Sequence, residues 1–544
     1  MVDARCLHFW ARGIILQWIM RPVIPLFKHC ALVLVFSLPV TGLLAQTGFS
    51  IGDIANPSVI ASGTIMGQNE VHGYYLFYLD HKIDKHSDIY TLQILDDSLN
   101  RVRAVQFEGS GEVAVMESAC NGDSYSFLFK DDNRRQLTMQ IYGLDGILRY
   151  TYSREFSRKT AALWGMNGQE HADVGTNNMV FPIGDSGYVS VLPLRSEGYA
   201  TYEMRYYGSN NHQEWTFTPD TTKTVILSTQ YLGCTDSLII LKVTRSRSGS
   251  YGKSGLSVRL EAINFVTRKK QFDLDGGESD YRTVPLSMVS LDSGRLLVLA
   301  EYYDLSQNIV KNFSLGLAFY TISTTGQVLR KVYNSWAEDI ARYLPVNKKG
   351  KTGNLGYIYI HRLIRTPDNR LFVVGEGYKR QASGAGIAMK TLGLLMGEYT
   401  DQGVTQIIVT DLVILKFSNQ CKAVDATVYE KSKYVGYNDN MSDFAKLHML
   451  GAVLEQAGAF DYTFTLQDAS DSTFEICYRN RERNGADWQR TFNDTWYVGG
   501  ALITDKFDLA PNVINVLPGA GGTVMIAEYF SREKRLGFRL KKLG

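Results

Sequence analysis

The chain has no excess of charge of either sign. Its 57 Lys and Arg stand against 55 Asp and Glu, a formal net charge of +2. A dedicated nucleic-acid binder carries a basic surplus, so that class is disfavoured. The chain is also short of apolar runs. Mean hydropathy is −0.14, which excludes a protein of many membrane spans. Cysteine is sparse and scattered: six residues, none in a C-x-x-C pair, which speaks against zinc ribbons and thioredoxin-like redox chemistry. No HExxH and no complete Ser-His-Asp set is present. Proline is scarce at 12, beside 49 Gly, 32 Tyr and 25 Phe. Many aromatics with many glycines point to short strands and tight turns. At 45% hydrophobic and 21% charged, the composition is globular, not disordered.

The one apolar run of note is near the start. From Met20 the chain reads MRPVIPLFKHCALVLVFSLPVTGLLA. Arg21 and Lys28 precede an apolar stretch from Ala31 to Leu44, and Ala45 suits the position before a cleavage. Pro39 and Gly42 interrupt the run, and a spanning helix needs about 20 apolar residues. The segment reads as a secretory signal peptide, with residues 1–45 as leader and Met20 as an alternative start. The expected product is 46–544, exported to periplasm, outer surface or medium, with no transmembrane span. Export permits disulfides. Cys120, Cys234, Cys421 and Cys477 allow three connectivities, or four buried free thiols.

The strongest signal is internal repetition. A polar turn followed by an apolar strand recurs as HGYYLFYLDH from His72, GDSYSFLFKD from Gly122 and DSGYVSVLPL from Asp185. It continues as TDSLIILKVT from Thr235, DSGRLLVLAE from Asp292 and PDNRLFVVGE from Pro367. The last copies are SDSTFEICYR from Ser470 and GGTVMIAEYF from Gly521. A second strand follows each, for example DIYTLQIL from Asp88, LTMQIYGL from Leu137 and WYVGGALI from Trp496. Tyr74 to Tyr125 is 51 residues, Tyr188 to Leu238 is 50, and Phe474 to Val524 is 50. That unit fits a four-stranded blade, and blades in a ring bury both faces and protect their edges. The expected fold is all-β: a β-propeller-like ring of seven or eight four-stranded blades, eight preferred. The last copy ends one strand short. Phe49–Ile54 is placed to supply that outer strand, and Ser58–Met66 to be the innermost strand of the first blade.

Two gaps exceed the repeat. One holds ASGAGIAMKTLGLLMGEY, with a helix expected near 384–400. The other holds SDFAKLHMLGAVLEQAG, with a helix expected near 442–458, where Phe444, Leu447, Leu450 and Leu454 share one face. Trp336–Leu344 reads as a third short helix.

The chemistry-bearing motifs are weaker. Gly184-Asp185-Ser186-Gly187 copies a serine-protease nucleophile sequence, but His171 upstream has the wrong context and Asp292-Ser293-Gly294 repeats the turn elsewhere. It reads as a hairpin turn. Gly384–Thr391 misses the P-loop glycine before its lysine. Asp273, Asp275, Glu278 and Asp280 in DLDGGESD are the best metal candidates. Their oxygen ligands would suit Ca²⁺, though the EF-hand order is not met and a solvated turn is the default. Asn438, Asp439, Asn440 and Asp443 form a similar loop. His72, His81 and His86 lie in one hairpin with Asp80, Asp84 and Asp88. No other cofactor is called for, and no catalytic residue can be named. Tyr378, Tyr434 and Tyr437 are candidates for stacking on a sugar or anchoring a protein partner.

The Asp-Ser-Gly turn, the apolar strand and turns such as Leu144-Asp145-Gly146 together resemble secreted bacterial β-propeller-like proteins, including families known only as domains of unknown function. The resemblance spans residues 49–544. WD dipeptides, kelch glycine pairs and sialidase Asp-boxes are absent, so no site residues carry over. The reading is an exported, non-catalytic binding or scaffold protein of the bacterial envelope with a protein or glycan partner and no nucleic acid. The alternative is a carbohydrate-active enzyme or a glycan-binding propeller.

Overall fold

Alternating apolar side chains and turns of positive φ lay nearly the whole chain into antiparallel strands. The computed structural model describes residues 48–543, apart from 55–59, 68–69, 167–178, 197–198, 221–224, 248–255, 276–279, 292–293, 310, 383–404, 433–434, 438–446, 469, 471 and 485–486.

A short first strand, β1 (Gly48–Ile51), precedes a series of meanders. The first is β2 (Ile60–Met66), β3 (Val71–Lys82), β4 (Asp88–Leu95) and β5 (Arg101–Gly109). The second is β6 (Val113–Cys120), β7 (Ser124–Asp131), β8 (Gln136–Gly143) and β9 (Leu148–Glu155). The third follows helix α1 (Arg158–Met166): β10 (Val180–Ile183), β11 (Gly187–Ser196), β12 (Tyr199–Gly208) and β13 (Glu214–Phe217). The fourth is β14 (Val225–Cys234), β15 (Leu238–Arg247), β16 (Ser257–Asn264) and β17 (Lys269–Asp275). The fifth is β18 (Arg282–Ser290), β19 (Leu296–Tyr303), β20 (Gly316–Ile322) and β21 (Val328–Ser335). The sixth is β22 (Tyr357–Arg365), β23 (Leu371–Ala382), β24 (Thr405–Phe417) and β25 (Ala423–Tyr429), with the extra β26 (Val435–Tyr437) and helix α2 (Leu447–Gln456). The seventh is β27 (Tyr462–Gln467), β28 (Phe474–Asn484), β29 (Asp487–Val498) and β30 (Ala501–Asp508). The last is β31 (Val513–Pro518), β32 (Thr523–Phe530) and β33 (Arg535–Lys542).

The strand order within each sheet is sequential. The last meander receives its fourth strand from the N-terminal end, because β1 pairs antiparallel with β33, Gly48 opposite Arg539 and Ile51 opposite Leu536. The described strands thus group into eight four-stranded meanders. Each packs on the next through an apolar seam. Phe77 and Leu92 of the first meet Phe127 and Tyr142 of the second, and Leu128 and Met139 meet Tyr188 and Leu192 of the third. The series continues through the third with the fourth, the fourth with the fifth, the fifth with the sixth and the sixth with the seventh. One last cluster joins Phe464 and Phe492 of the seventh, Met525 and Phe538 of the eighth, and Tyr74 and Leu76 of the first. The seams therefore close a ring, and the fold is a β-propeller. First strands neighbour one another: β2 bridges β6 in parallel at Met66 and Ala119, and Thr64 Oγ1 donates to the Pro518 carbonyl at 3.4 Å. A closed ring buries both faces of each sheet, which a lone meander of this length cannot do.

The eight repeated motifs become the second strands, β3, β7, β11, β15, β19, β23, β28 and β32. The segments expected at Phe49–Ile54 and Ser58–Met66 are the closing strand and the first inner strand, with slightly different bounds. One strand expectation is corrected. WYVGGALI is not a strand but the end of β29, a turn and the start of β30. Gly499 and Gly500 have φ of +59° and +93°, the pairing a two-residue hairpin turn requires. Trp336–Leu344 is a series of turns with one 3₁₀ turn, Ile340–Arg342, whose apolar side chains seal the fifth seam. Cys120, Cys234, Cys421 and Cys477 are free thiols.

Candidate functional site

The sixth meander differs from its neighbours. Its central hairpin is long, 12 residues in β23 and 13 in β24. Strand β26 pairs with the outer part of β24, Ile407 opposite Tyr437. Helix α2 lies over β22 and β23, and its Leu450 and Leu454 join Tyr378, Ile407, Val409 and Phe460 in a small core. Glycine sets the depth of that docking. A Cβ on Gly451 would lie 2.8 Å from the Tyr359 ring and 3.1 Å from the Tyr378 hydroxyl. Helix-interior glycine costs roughly 1 kcal/mol relative to alanine, and close approach is the return.

Beneath the helix is a buried charge cluster. Lys431, just after β25, is sealed from water at its side chain. Its Nζ donates to Glu376 Oε1 on β23 and to Asp461 Oδ2 at 2.7 Å. Its backbone N–H donates to Asp411 Oδ1 at 2.9 Å. Glu376 also accepts the backbone N–H groups of Asp461 at 3.2 Å and Tyr462 at 3.0 Å. His361 is the extra residue in a bulge where Ile360 and Arg362 of β22 face consecutive residues of β23. Bulges re-aim side chains, and here the imidazole turns to two acids. Its Nε2 lies 3.5 Å from Glu376, and its Nδ1 lies 3.3 Å from Glu455 of α2. The ring stacks on Tyr462 at 4.3 Å and meets Phe460 edge-on at 4.9 Å.

Charge pairing overrides burial in this cluster. Burial works to raise the Glu376 carboxyl, but Lys431 and His361 outweigh it and hold the group at about 2. Burial works to lower His361, but Glu455 and Glu376 outweigh it and raise the group to about 9. Asp461 is pushed up, by burial first and Glu376 after it, against the pull of Lys431. Buried ion pairs are costly to desolvate and costlier to break. The cluster ties β22, β23, α2 and the segments carrying Lys431 and Asp461 to one another.

The opposite face of the seventh meander also buries acids. Glu475 of β28 pairs across from Trp496, and Asp494 of β29 pairs across from Cys477. Glu475 and Cys477 share a face by strand alternation, so the two acids are diagonal neighbours. Asp494 is 1% exposed. Glu475 Oε2 and Asp494 Oδ2 have no hydrogen-bond partner among the described residues. Burial, then Asp494, raises Glu475 to about 7. Burial, then Asp505, raises Asp494 to about 6. Gly522 of the eighth meander, at φ +70°, abuts Glu475.

The residues singled out in the sequence fall mostly elsewhere. Asp273 and Asp275 are on β17, and their oxygens are committed: Asp273 to Arg259, to Lys270 at 3.0 Å and to Arg245 at 3.4 Å, and Asp275 to Arg259 at 2.9 Å. Asp280 is exposed and Glu278 lies outside the described residues. Tyr378 is 2% exposed under α2, which corrects its expected role as a partner-facing ring: it is part of the docking core. Tyr434 and the side chain of Tyr437 lie outside the described residues, as do His171, Asn438, Asp439, Asn440, Asp443 and the segment 384–400. The Gly184–Gly187 motif is the turn between β10 and β11, with the Ser186 carbonyl accepting Tyr206 Oη at 2.7 Å. His81 and His86 are exposed. Among the described residues no three His, Cys, Asp or Glu are grouped to hold a metal ion, and no helix is long and apolar enough to cross a membrane. The charge cluster was not singled out in the sequence. Its one local signal is Glu376, an acid ending a repeated strand at the place Glu301 holds in the preceding copy.

A model for a family of unknown function, DUF6770, matches residues 27–544. No curated protein matches. Among solved structures, the chain is similar to Sqt1 from Chaetomium thermophilum at 8% identity, covering 91% of this chain and all of that one, with a TM-score of 0.39. It is similar to the β-propeller domain of the Trilobed protease from Pyrococcus furiosus at 8% identity, 80% and 96% coverage and a TM-score of 0.34. The WD40 domain of SCAP from fission yeast is similar at 7% identity, 89% and 98% coverage and a TM-score of 0.33.

Proposed function

We propose that this chain, which belongs to the DUF6770 family, is an exported, non-catalytic binding or scaffold protein of the bacterial envelope. Its partner, a protein or a glycan, meets the rim built on the sixth meander. The observation that carries this reading is the concentration of extra structure there: a lengthened hairpin, β26 and α2 on one meander. A binding rim gains affinity by being held rigid before the partner arrives, and the charge cluster under α2 supplies that rigidity. Export rests on the leader at 20–45, and it sets the compartment of the partner.

The test is affinity capture from native envelope extract with the full chain and with a variant lacking 384–400, analysing protein and glycan. A partner lost with the deletion supports the rim. A partner held equally by both contradicts it. The alternative, a carbohydrate-active propeller, is favoured by the raised acids Glu475 and Asp494 beside Trp496, since glycosidases use paired carboxyl groups. Glycan hydrolysis by the parent that disappears in Glu475→Gln would move the assignment to that reading.

A further inference from the structure

We propose that Lys431 and Asp461 condense into an intramolecular amide that covalently closes the base of the sixth-meander insert. The two groups are in contact, with Nζ 2.7 Å from Oδ2, so the carboxyl carbon is one bond beyond the hydrogen-bonded oxygen. Intramolecular reactions between held groups gain large effective concentrations. The Lys431 side chain is fully buried and Glu376 nearly so. Aromatic rings of Phe460 and Tyr462 border the cluster through His361, and the Asp461 side chain keeps 19% exposure, a way out for the water released.

The chemistry balances with no outside reagent. A proton moves along the hydrogen bond from Lys431 Nζ to Asp461 Oδ2, turning an ion pair into a neutral amine and a neutral acid. That neutral pair is the reactive form, reached against the charge pairing with Glu376 and Asp461 that holds Lys431 as the cation. The amine nitrogen then attacks Cγ, and an N–C bond forms. Glu376, which Nζ also contacts, takes a proton from the nitrogen and returns it to the departing hydroxyl. A C–O bond breaks, one water leaves and Glu376 ends as the carboxylate it began as. One ion pair is replaced by one neutral amide. Lys431 and Asp461 are 30 positions apart, and the loop they close carries β26 and α2. The inference stands whether or not the rim binds a partner.

Peptide mapping of the full chain decides it. After trypsin digestion the expected product is residues 423–433 joined to 447–479, lighter than the two peptides together by one water, with no cleavage after Lys431. A free 423–431 peptide with an unmodified 447–479 peptide, after prolonged incubation at neutral pH, would overturn the proposal. Glu376→Gln, with its strand signature checked by circular dichroism, is expected to yield the separate peptides. A branched peptide formed as fast in that variant as in the parent would remove Glu376 from the mechanism. Should the variant fail to fold, the parent digest alone still gives the answer.

Discussion

On one face of the seventh meander, Glu376 and Asp461 meet Lys431 and His361. On the other, Glu475 and Asp494 meet each other. Burial acts on all four acids in the same direction, raising the carboxyl. The company decides the outcome. Two cations hold Glu376 at about 2, whereas Glu475 without one rises to about 7. The first seam is locked by charge and the second is strained by it, although each also has an apolar core.

The largest expected effect comes from unlocking the first seam. Lys431→Met removes the tie to Asp461, whether ion pair or amide, and leaves Glu376 with His361 as its one cation, and it should cost about 3–5 kcal/mol of stability. A urea midpoint that moves by less than about 1 kcal/mol would show that the cluster does not hold the seam. Next in size is relief of the second seam. A carboxyl whose folded pKa is raised contributes stability below its unfolded pKa, near 4.5, and loses it as pH rises through about 7. Glu475→Gln should therefore melt later than the parent at about pH 8, by roughly 1–2 kcal/mol after allowance for partial exposure, and the gain should vanish near pH 4. Equal benefit at both pH values would mean the gain is not electrostatic.

The two seams should also part company in acid. Glu376 is depressed, so its contribution is present above 4.5 and is lost as pH falls towards 2. Hydrogen exchange in acid should rise first in β27 and α2 while β32 stays protected. His361 works from the other end: its contribution is full below 6.5 and fades as pH rises through about 9. The smallest effect is expected from Glu455→Gln. It removes the charge from α2 facing His361 at a partly exposed site, about 1 kcal/mol, read as faster proteolysis between 447 and 456.

The ring was legible because its signals are local. Alternation marks the second strands, turn residues mark their starts, and a missing last strand points to the N-terminal segment. Where local signals collide, reading fails: the aromatics and β-formers of WYVGGALI hid a glycine hairpin. Helix α1 has no amphipathic pattern strong enough to announce it, whereas the apolar spacing of Leu450 and Leu454 did announce α2. The charge cluster was not legible. His361, Glu376, Lys431 and Asp461 are spread over 100 positions of chain, and Lys431 sits in Glu430-Lys431-Ser432-Lys433, which reads as an exposed charged run. Only the closing of the sixth and seventh meanders brings them together. Tyr378 reversed its role for the same reason, since the helix that covers it comes from 70 residues downstream.

The most direct test is hydrogen exchange at neutral pH on the full chain and on Lys431→Met. If the cluster holds the insert to the ring, amides of 447–456 and 462–467 exchange markedly faster in the variant, while those of β15 and β16 keep their parental rates. Parental protection of 447–456 in a folded Lys431→Met chain would contradict the account.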